Sequence, residues 1–426
     1  MQIKHQPSSI VILSGVQGDT RRYRTLHPYQ QIRMAGFPCT LSHLTDSHLP
    51  RLISNAQVVI FHRVAYDRYV EGLVQSIHSR QGLVILDIDD LIFDVNAFHW
   101  IDSPDFKDPI RANLYQEEMN RHKQMLEHSD AILASTDYLA GLARKFSKPV
   151  WVHRNAFSLE MHAISEKARL IQRLPGNKIV IGYASGTLTH NKDFAMITPV
   201  LQAVMKRNSQ IHLKIVGRLT LGKEWAQFKS RISKVPLVSW QELPAVLAGF
   251  DINLAPLLMD NPFNKSKSAI KFMEAALVGV PTIASATEAF QSAIDPGRNG
   301  FTAASEADWI MAIERLLDPL ERKQIGEAAF KEVLEKDSAM NRSSEWPAKL
   351  QEICLISGKP AVWENFERFS DQVEKSSNWT PESWRLDPEI EEHPNRLEQG
   401  IYSLRHRDVG TLARQVWVFF RRLVNG

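Results

Sequence analysis

The feature that most limits what this chain can fold into is a repeated alternation of short apolar runs with longer helical segments. Ile10–Leu13, Val58–Phe61, Leu83–Ile88 and AILAS at 131–135 form one series. KIVIGYASG at 178–186, HLKIVG at 212–217, DINLAPL at 251–257 and VPTIAS at 280–285 form a second. Apolar runs this short read as strands covered on both faces, and the stretches between them, such as 68–80 and the one after SGTLTHNKDF to about 206, read as helices. Strand, helix, strand in this order makes a parallel sheet, because parallel neighbours need a crossover long enough to hold a helix. The expected fold is therefore α/β, with ligands beyond the carboxyl ends of the strands.

The two series are separated by a polar, mixed stretch at 159–176 that reads as a helix and linker closing on Pro175 and Gly176. A length of 426 residues holds two such domains and an appendage, which divides the chain into 1–158, 159–345 and 346–426. A net charge of only +3 gives no reason to expect a nucleic-acid partner. Two cysteines, Cys39 and Cys354, cannot build a disulfide framework, which fits a reducing, cytoplasmic compartment. The apolar run near the start is too short for a signal peptide, and no segment reaches the about 18 apolar residues of a membrane span.

Polar residues stand where the expected strands end. In the first domain Gly15 and Gly18, in SGVQGDTRRYR, allow close backbone approach to a ligand, and Arg21, Arg22 and Arg24 add positive charge. His62 and Arg63 follow one strand, and LDIDDL ends another with Asp87, Asp89 and Asp90. Carboxylates packed this closely repel one another, which a purely structural strand end would not need. The alternative is that Asp89 or Asp90 caps a turn or helix. Asp-x-Asp also suits Mg²⁺ or Mn²⁺, but no metal site is assigned. In the second domain the loop SGTLTHNKDF supplies Ser185, Gly186, Thr187, Thr189, His190, Asn191 and Lys192, a set suited to phosphate or sugar, and HLKIVG runs out into Arg218.

Residues 261–285, NPFNKSKSAIKFMEAALVGVPTIAS, read as loop, helix and buried strand. Ser266 or Ser268 is the expected N-cap, the helix runs to about Val278, Gly279 takes the left-handed position after it, and Pro281 stops any continuation. Lys267, Lys271 and Glu274 share one face beside the apolar stripe Ile270, Met273 and Leu277. Two cations near free helix-start N–H groups suit a diphosphate, and a carboxylate further along suits ribose hydroxyls. A solvated Lys/Glu face is the bland alternative.

These residues also carry a resemblance. IGYASGTLTHNKDF, Gly217, the 261–285 stretch and GRNGF resemble the C-terminal domain of GT-B glycosyltransferases of the family 4 type. FHRVAYDRY, LDIDDLIFD, ASTDYLA and VHRNAF are similar to the N-terminal half of bacterial members that act in surface polysaccharide assembly, so the likeness covers about residues 10–345. It implies two Rossmann-like domains facing a cleft, an acceptor domain first and a nucleotide-sugar donor domain second, plus a helical C-terminal tail. It further implies sugar transfer from a nucleotide diphosphate to a glycan or lipid-linked acceptor, with retention of anomeric configuration and neither a protein-bound metal nor a cofactor.

Carried over residue by residue, the resemblance gives Glu274 the ribose as the second acid of an E-x7-E element, and Lys192 the diphosphate. Ala269 and Ile270 lie where backbone N–H groups approach the donor, and Asp89 stands where many relatives have a histidine near the transferred sugar. Ser266 replaces the first acid, and the usual loop arginine has no match unless His190 or Lys271 substitutes. Asp89, Lys192 and Lys271 are the expected catalytic residues. Gly15, Gly18, Gly186, Thr187, His190, Asn191, Arg218, Ser266, Ala269, Ile270 and Glu274 are the expected donor contacts. Leaving-group charge would be met by Lys192, Lys271 and the helix-start N–H groups. Two alternatives stay open: a nucleotide-sugar epimerase, whose acid pair could only come from DIDD, and a non-catalytic nucleotide-sugar-binding protein.

In the remainder, a helix near Ser344–Ile356 is expected to cross back onto the first domain, followed by a loop-rich stretch with Trp363, Trp379 and Trp384. The end places Leu412, Val416, Phe419, Phe420 and Leu423 on one helical face among Arg405, Arg407, Arg414, Arg421 and Arg422. Such a face suits an anionic membrane surface, with a peripheral place on the cytoplasmic membrane, or equally the protein's own core or a partner.

Overall fold

A computed structural model describes residues 10–16, 18–171 and 177–370, the side chains of 367–370 excepted. The chain divides into two units. The first comprises the residues up to 98, 105–156 and those from 339 on; the second comprises 99–104 and 157–338.

The first unit is built on a six-stranded sheet of β1 (Ile10–Ser14), β2 (Cys39–His43), β3 (Val58–His62), β4 (Leu83–Ile88), β5 (Ala131–Ala134) and β6 (Val150–Val152), ordered β2-β1-β3-β4-β5-β6. Every pairing is parallel. The apolar runs form strands here because both faces are covered: Ile10, Ile12, Val58, Ile60, Leu83 and Ile85 are buried in one core cluster. The register sets Ser14 beside His62 and His62 beside Asp87, so the chemistry-bearing strand ends stand in a row. Chain order reverses between β1 and β3, which marks the crevice at their carboxyl ends as the topological switch point.

The helix Ala339–Ile356 belongs to this unit, burying Trp346, Leu350, Ile353 and Cys354 in the same core. The Trp346 Nε1–H donates to Gln31 Oε1 at 3.2 Å. The stretch expected to be loop-rich starts instead as a helix, Pro360–Ser370, because Val362, Trp363 and Phe366 find apolar cover on Phe37. The expectations for Trp379, Trp384 and the basic amphipathic end lie outside the described residues.

The second unit repeats the plan with β7 (Ile179–Ser185), β8 (Ile211–Gly217), β9 (Ile232–Val235), β10 (Ile252–Ala255), β11 (Thr282–Ser285) and β12 (Phe301–Ala303), ordered β12-β11-β10-β7-β8-β9. Its switch point lies between β7 and β10. Packing is tight there: a Cβ on Gly182 would stand 2.1 Å from the Phe250 ring, so only glycine lets Phe250 lie against β7. The sequence near Glu224–Ser233 reads as a helix, but that helix ends at Arg231, and Ile232–Val235 leaves it to pair with β8 as the edge strand. Partly buried Ile232, packed on the core, accounts for the change.

Candidate functional site

In the second unit the residues after β7, those after β10 and the helix Ile270–Ala276 converge. The loop after β7 is held by its own polar side chains. Ser185 Oγ donates to the Thr187 carbonyl at 2.8 Å, the Thr187 and Thr189 hydroxyls are 2.6 Å apart, and Asn191 Nδ2 donates to the Leu188 carbonyl at 3.1 Å. Asn191 Oδ1 also accepts from Thr220 N at 3.2 Å. The backbone of Arg218 donates to the Ser185 carbonyl at 2.8 Å, while its side chain is exposed. The turn before it requires Gly217, whose φ is 83° and whose Cβ would stand 2.2 Å from that same carbonyl. A Cβ on Gly186, by contrast, would meet no protein atom within 4 Å.

Asp193, which the sequence did not single out, ties these elements together. It is 2% exposed. Its Oδ2 lies 2.9 Å from His190 Nδ1, and its Oδ1 accepts from Leu258 N at 3.0 Å and from Asn264 Nδ2 at 2.6 Å. One carboxylate thus joins the loop after β7 to the segment after β10, across the switch point. A buried carboxylate is stable only when its lone pairs are met in this way. The one available signal in the sequence was an acid directly after the candidate cation Lys192, at the start of a short helix.

Lys271 is drawn inward. Its Nζ donates to the Ala184 carbonyl at the end of β7 and stands 5.0 Å from the centre of the Tyr183 ring. Burial lowers its pKa, an effect opposed by the carboxylates of Glu274 and Asp193 and reinforced by Lys267. Burial likewise lowers the pKa of His190, opposed by the bond to Asp193 and reinforced by Lys271 and Lys267. His190, Asp193, Lys267, Lys271 and Glu274 therefore form one electrostatic group. Lys192 is placed differently: its side chain is 71% exposed and pairs with Asp102 at 3.1 Å.

The capping expectation is corrected. Asn261 caps the short helix Pro262–Lys265, accepting from Phe263 N at 2.8 Å and Asn264 N at 3.3 Å. Ser266 is fully buried and donates to the Phe263 carbonyl at 2.7 Å, three residues ahead of the N-cap position. Ala269 occupies the N-cap of Ile270–Ala276 and has no side chain to offer. Lys267 consequently precedes the helix and does not share its face; its Nζ lies 4.5 Å from the centre of the Phe263 ring. The C-terminal reading stands: Gly279 has φ 72°, with Val280 N bonded to the Ala275 carbonyl at 3.0 Å.

The first unit presents a separate group. Arg63 follows β3 in the left-handed region at φ 47°, donating from Nε to Asp89 at 2.6 Å and from Nη2 to Asp90. His62 is fully buried, with Nε2 3.6 Å from Asp89. Burial opposes ionisation of Asp89, but Arg63 and His62 outweigh it and hold the carboxyl well below its usual range. The expected mutual repulsion of the acids is corrected too. Asp87 makes a buried two-point pair with Arg24, 2.8 Å from Nε and 2.6 Å from Nη2, so two arginines absorb three carboxylates. Arg24 also donates to the His153 carbonyl at 2.6 Å and Asn155 Oδ1 at 2.9 Å, which removes it from the charge expected to face a ligand. Gly15 owes its identity to Arg63, whose carbonyl would stand 2.2 Å from a Cβ there, and Gly18 has φ 86° with nothing within 4 Å. Both belong to the first unit, whereas the remaining expected donor contacts belong to the second.

Two parallel six-stranded α/β units, each with its own switch point, define the GT-B fold of the glycosyltransferases. Solved structures bear this out. Sucrose-phosphate synthase from Thermosynechococcus elongatus superposes with a TM-score of 0.56 at 15% identity, covering 82% of this chain and 100% of that one. HepE from Anabaena, solved in complex with UDP and glucose, gives 0.53 at 12% identity, covering 81% and 100%. At the level of sequence, residues 198–348 match the family model described as glycosyl transferase-like. No curated protein is detectably similar to the chain in sequence. Among the described residues, no helix is long and apolar enough to cross a membrane.

Proposed function

We propose that the protein is a retaining glycosyltransferase that moves a sugar from a nucleotide diphosphate to a glycan or lipid-linked acceptor in bacterial surface polysaccharide biosynthesis. The observation that carries this reading is the charge group at the β7/β10 switch point, where half-buried Lys271 lies among Glu274, Asp193 and Lys267. The helix that bears Lys271 and Glu274 falls within the glycosyl transferase-like match. In this reading Lys271 meets charge developing on the departing diphosphate, and Glu274 binds the ribose hydroxyls. Gly186, Thr187, Asn191, Arg218, Ala269 and Ile270 contact the donor through the loop after β7 and the turn before the helix. Ser266, being buried on its own turn, supports the pocket wall. Asp89, held as a carboxylate by Arg63, is available to orient a hydroxyl of sugar or acceptor. Cations of the chain supply the charge, so the reaction needs neither protein-bound metal nor cofactor. A cytoplasmic site of action, peripheral to the membrane, suits a lipid-linked acceptor.

The test is a thermal-shift panel of UDP-, GDP-, ADP- and dTDP-sugars against wild type and Glu274→Ala. A donor at 100 times its dissociation constant adds about 2.7 kcal/mol to the folded state. One donor is expected to stabilise the wild type and to lose most of that effect in the variant. Incubation of that donor with a lipid-linked glycan pool, followed by NMR of the product's anomeric proton, then checks transfer and retention. If no donor shifts the wild type, the reading falls.

A further inference from the structure

The loop after β7 carries two basic side chains two residues apart, and the fold treats them differently. Lys192, the more obvious partner for an anion, is spread over the surface and paired with Asp102. His190 is drawn in, its side chain 16% exposed, with Nδ1 fixed 2.9 Å from Asp193 Oδ2. Because an ionised carboxylate only accepts, this contact places a proton on Nδ1 and leaves Nε2 as the atom that gains or loses one. Asp193 cannot turn away, since its other oxygen is committed to Leu258 N and Asn264 Nδ2. The imidazole is therefore held in one tautomer, partly open to solvent, in the loop after β7 at the switch point.

We propose that His190, positioned by Asp193, is the proton-accepting contact of the donor's diphosphate, taking up a proton at Nε2 as the nucleotide binds. This deepens the donor-site reading above and rests on it. The charges that face His190 are Asp193 from its own segment, Lys271 from the helix Ile270–Ala276 and Lys267 from the segment leading into that helix. Without ligand the two lysines and burial keep the ring neutral near pH 7; an arriving diphosphate cancels the lysines' repulsion, and Asp193 balances the imidazolium. The proton comes from solvent, and no covalent bond changes. Asp193 is a positioning residue, acting only through His190 and the two loops it joins.

The experiment is isothermal titration calorimetry of the full chain at pH 7.5, in buffers of different ionisation enthalpy. The probe is whichever of UDP, GDP, ADP and dTDP stabilises the wild type in the thermal-shift panel. The nucleotide's own last phosphate proton, with a pKa of about 6, is almost gone at that pH. Wild type is expected to take up a fraction of a proton that His190→Gln does not. Its Kd should rise by up to about tenfold per pH unit above neutrality. His190→Lys, with a fixed charge, should bind with no proton uptake and little pH dependence. Asp193→Asn, whose amide donates to Nδ1 and moves the ring proton to Nε2, should lose the uptake while keeping measurable binding. Should it fail to fold, the His190 pair decides alone. Equal uptake in wild type and His190→Gln overturns the proposal while leaving the donor site standing; binding of none of the four nucleotides overturns both.

Discussion

Lys271→Met separates what a half-buried charge does for catalysis from what it does for folding. In the wild type the ammonium is held against the Ala184 carbonyl and the Tyr183 ring, with a pKa lowered first by burial. Methionine keeps the length of the side chain and deletes the charge. Preorganised donors aimed at developing charge contribute about 3–4 kcal/mol each to barrier lowering, so turnover should fall by about 10²- to 10³-fold. Stability behaves differently. Loss of the hydrogen bond costs about 1–3 kcal/mol, but release of a charge from a buried site offsets much of it. The net change should lie within about 1 kcal/mol, or roughly 2–4 °C in Tm for a unit of this size.

The pH dependence fixes the sign. A lysine whose folded pKa lies below its unfolded value binds fewer protons when folded, so wild-type stability rises with pH through that window. Denaturant midpoints at pH 8 and pH 10 should therefore show the wild type gaining on Lys271→Met. Donor turnover with acceptor, measured beside the nucleotide-induced thermal shift, completes the assay. A variant that keeps more than a tenth of wild-type turnover would refute the catalytic role, and a Tm loss above about 10 °C would show that the charge serves the fold instead.

Two further outcomes are expected in the first unit. Arg24→Met should cost about 3–5 kcal/mol in urea unfolding because it strands Asp87, and Arg24→Met with Asp87→Leu should recover most of that loss; equal instability of single and double variants would contradict the pairing. His27 and His122 are buried with pKa lowered to about 3, so they fold neutral and bind protons mainly when unfolded. Stability should then decline steadily as pH falls from about 6.5 toward 3, and a flat urea midpoint between pH 7 and pH 5 would exclude this origin.

The residues by themselves determined that both sheets are parallel and where their central strands run, because each of those apolar runs is long enough for a strand and too apolar for anything but a covered one, whereas the edge strand Ile232–Val235 was not legible. They also determined the stop at Gly279, where the φ of 72° is a local demand that only the local residue can meet. They placed His190 beyond the carboxyl end of β7, since polar loops after apolar strands gather there. What they left undetermined was pairing at a distance. Arg24 meets Asp87 across 63 residues, and Asp193 meets Asn264 across 71. Strand order brings those loops together, and no local periodicity encodes strand order. Only the tertiary structure therefore decided that the acids of DIDD are neutralised by arginines, that Lys192 faces Asp102 while Lys271 turns inward to the Ala184 carbonyl, and that one carboxylate fastens the loop after β7 to the segment after β10. Each is a contest between burial and charge, and its result depends on which partner the folded chain delivers.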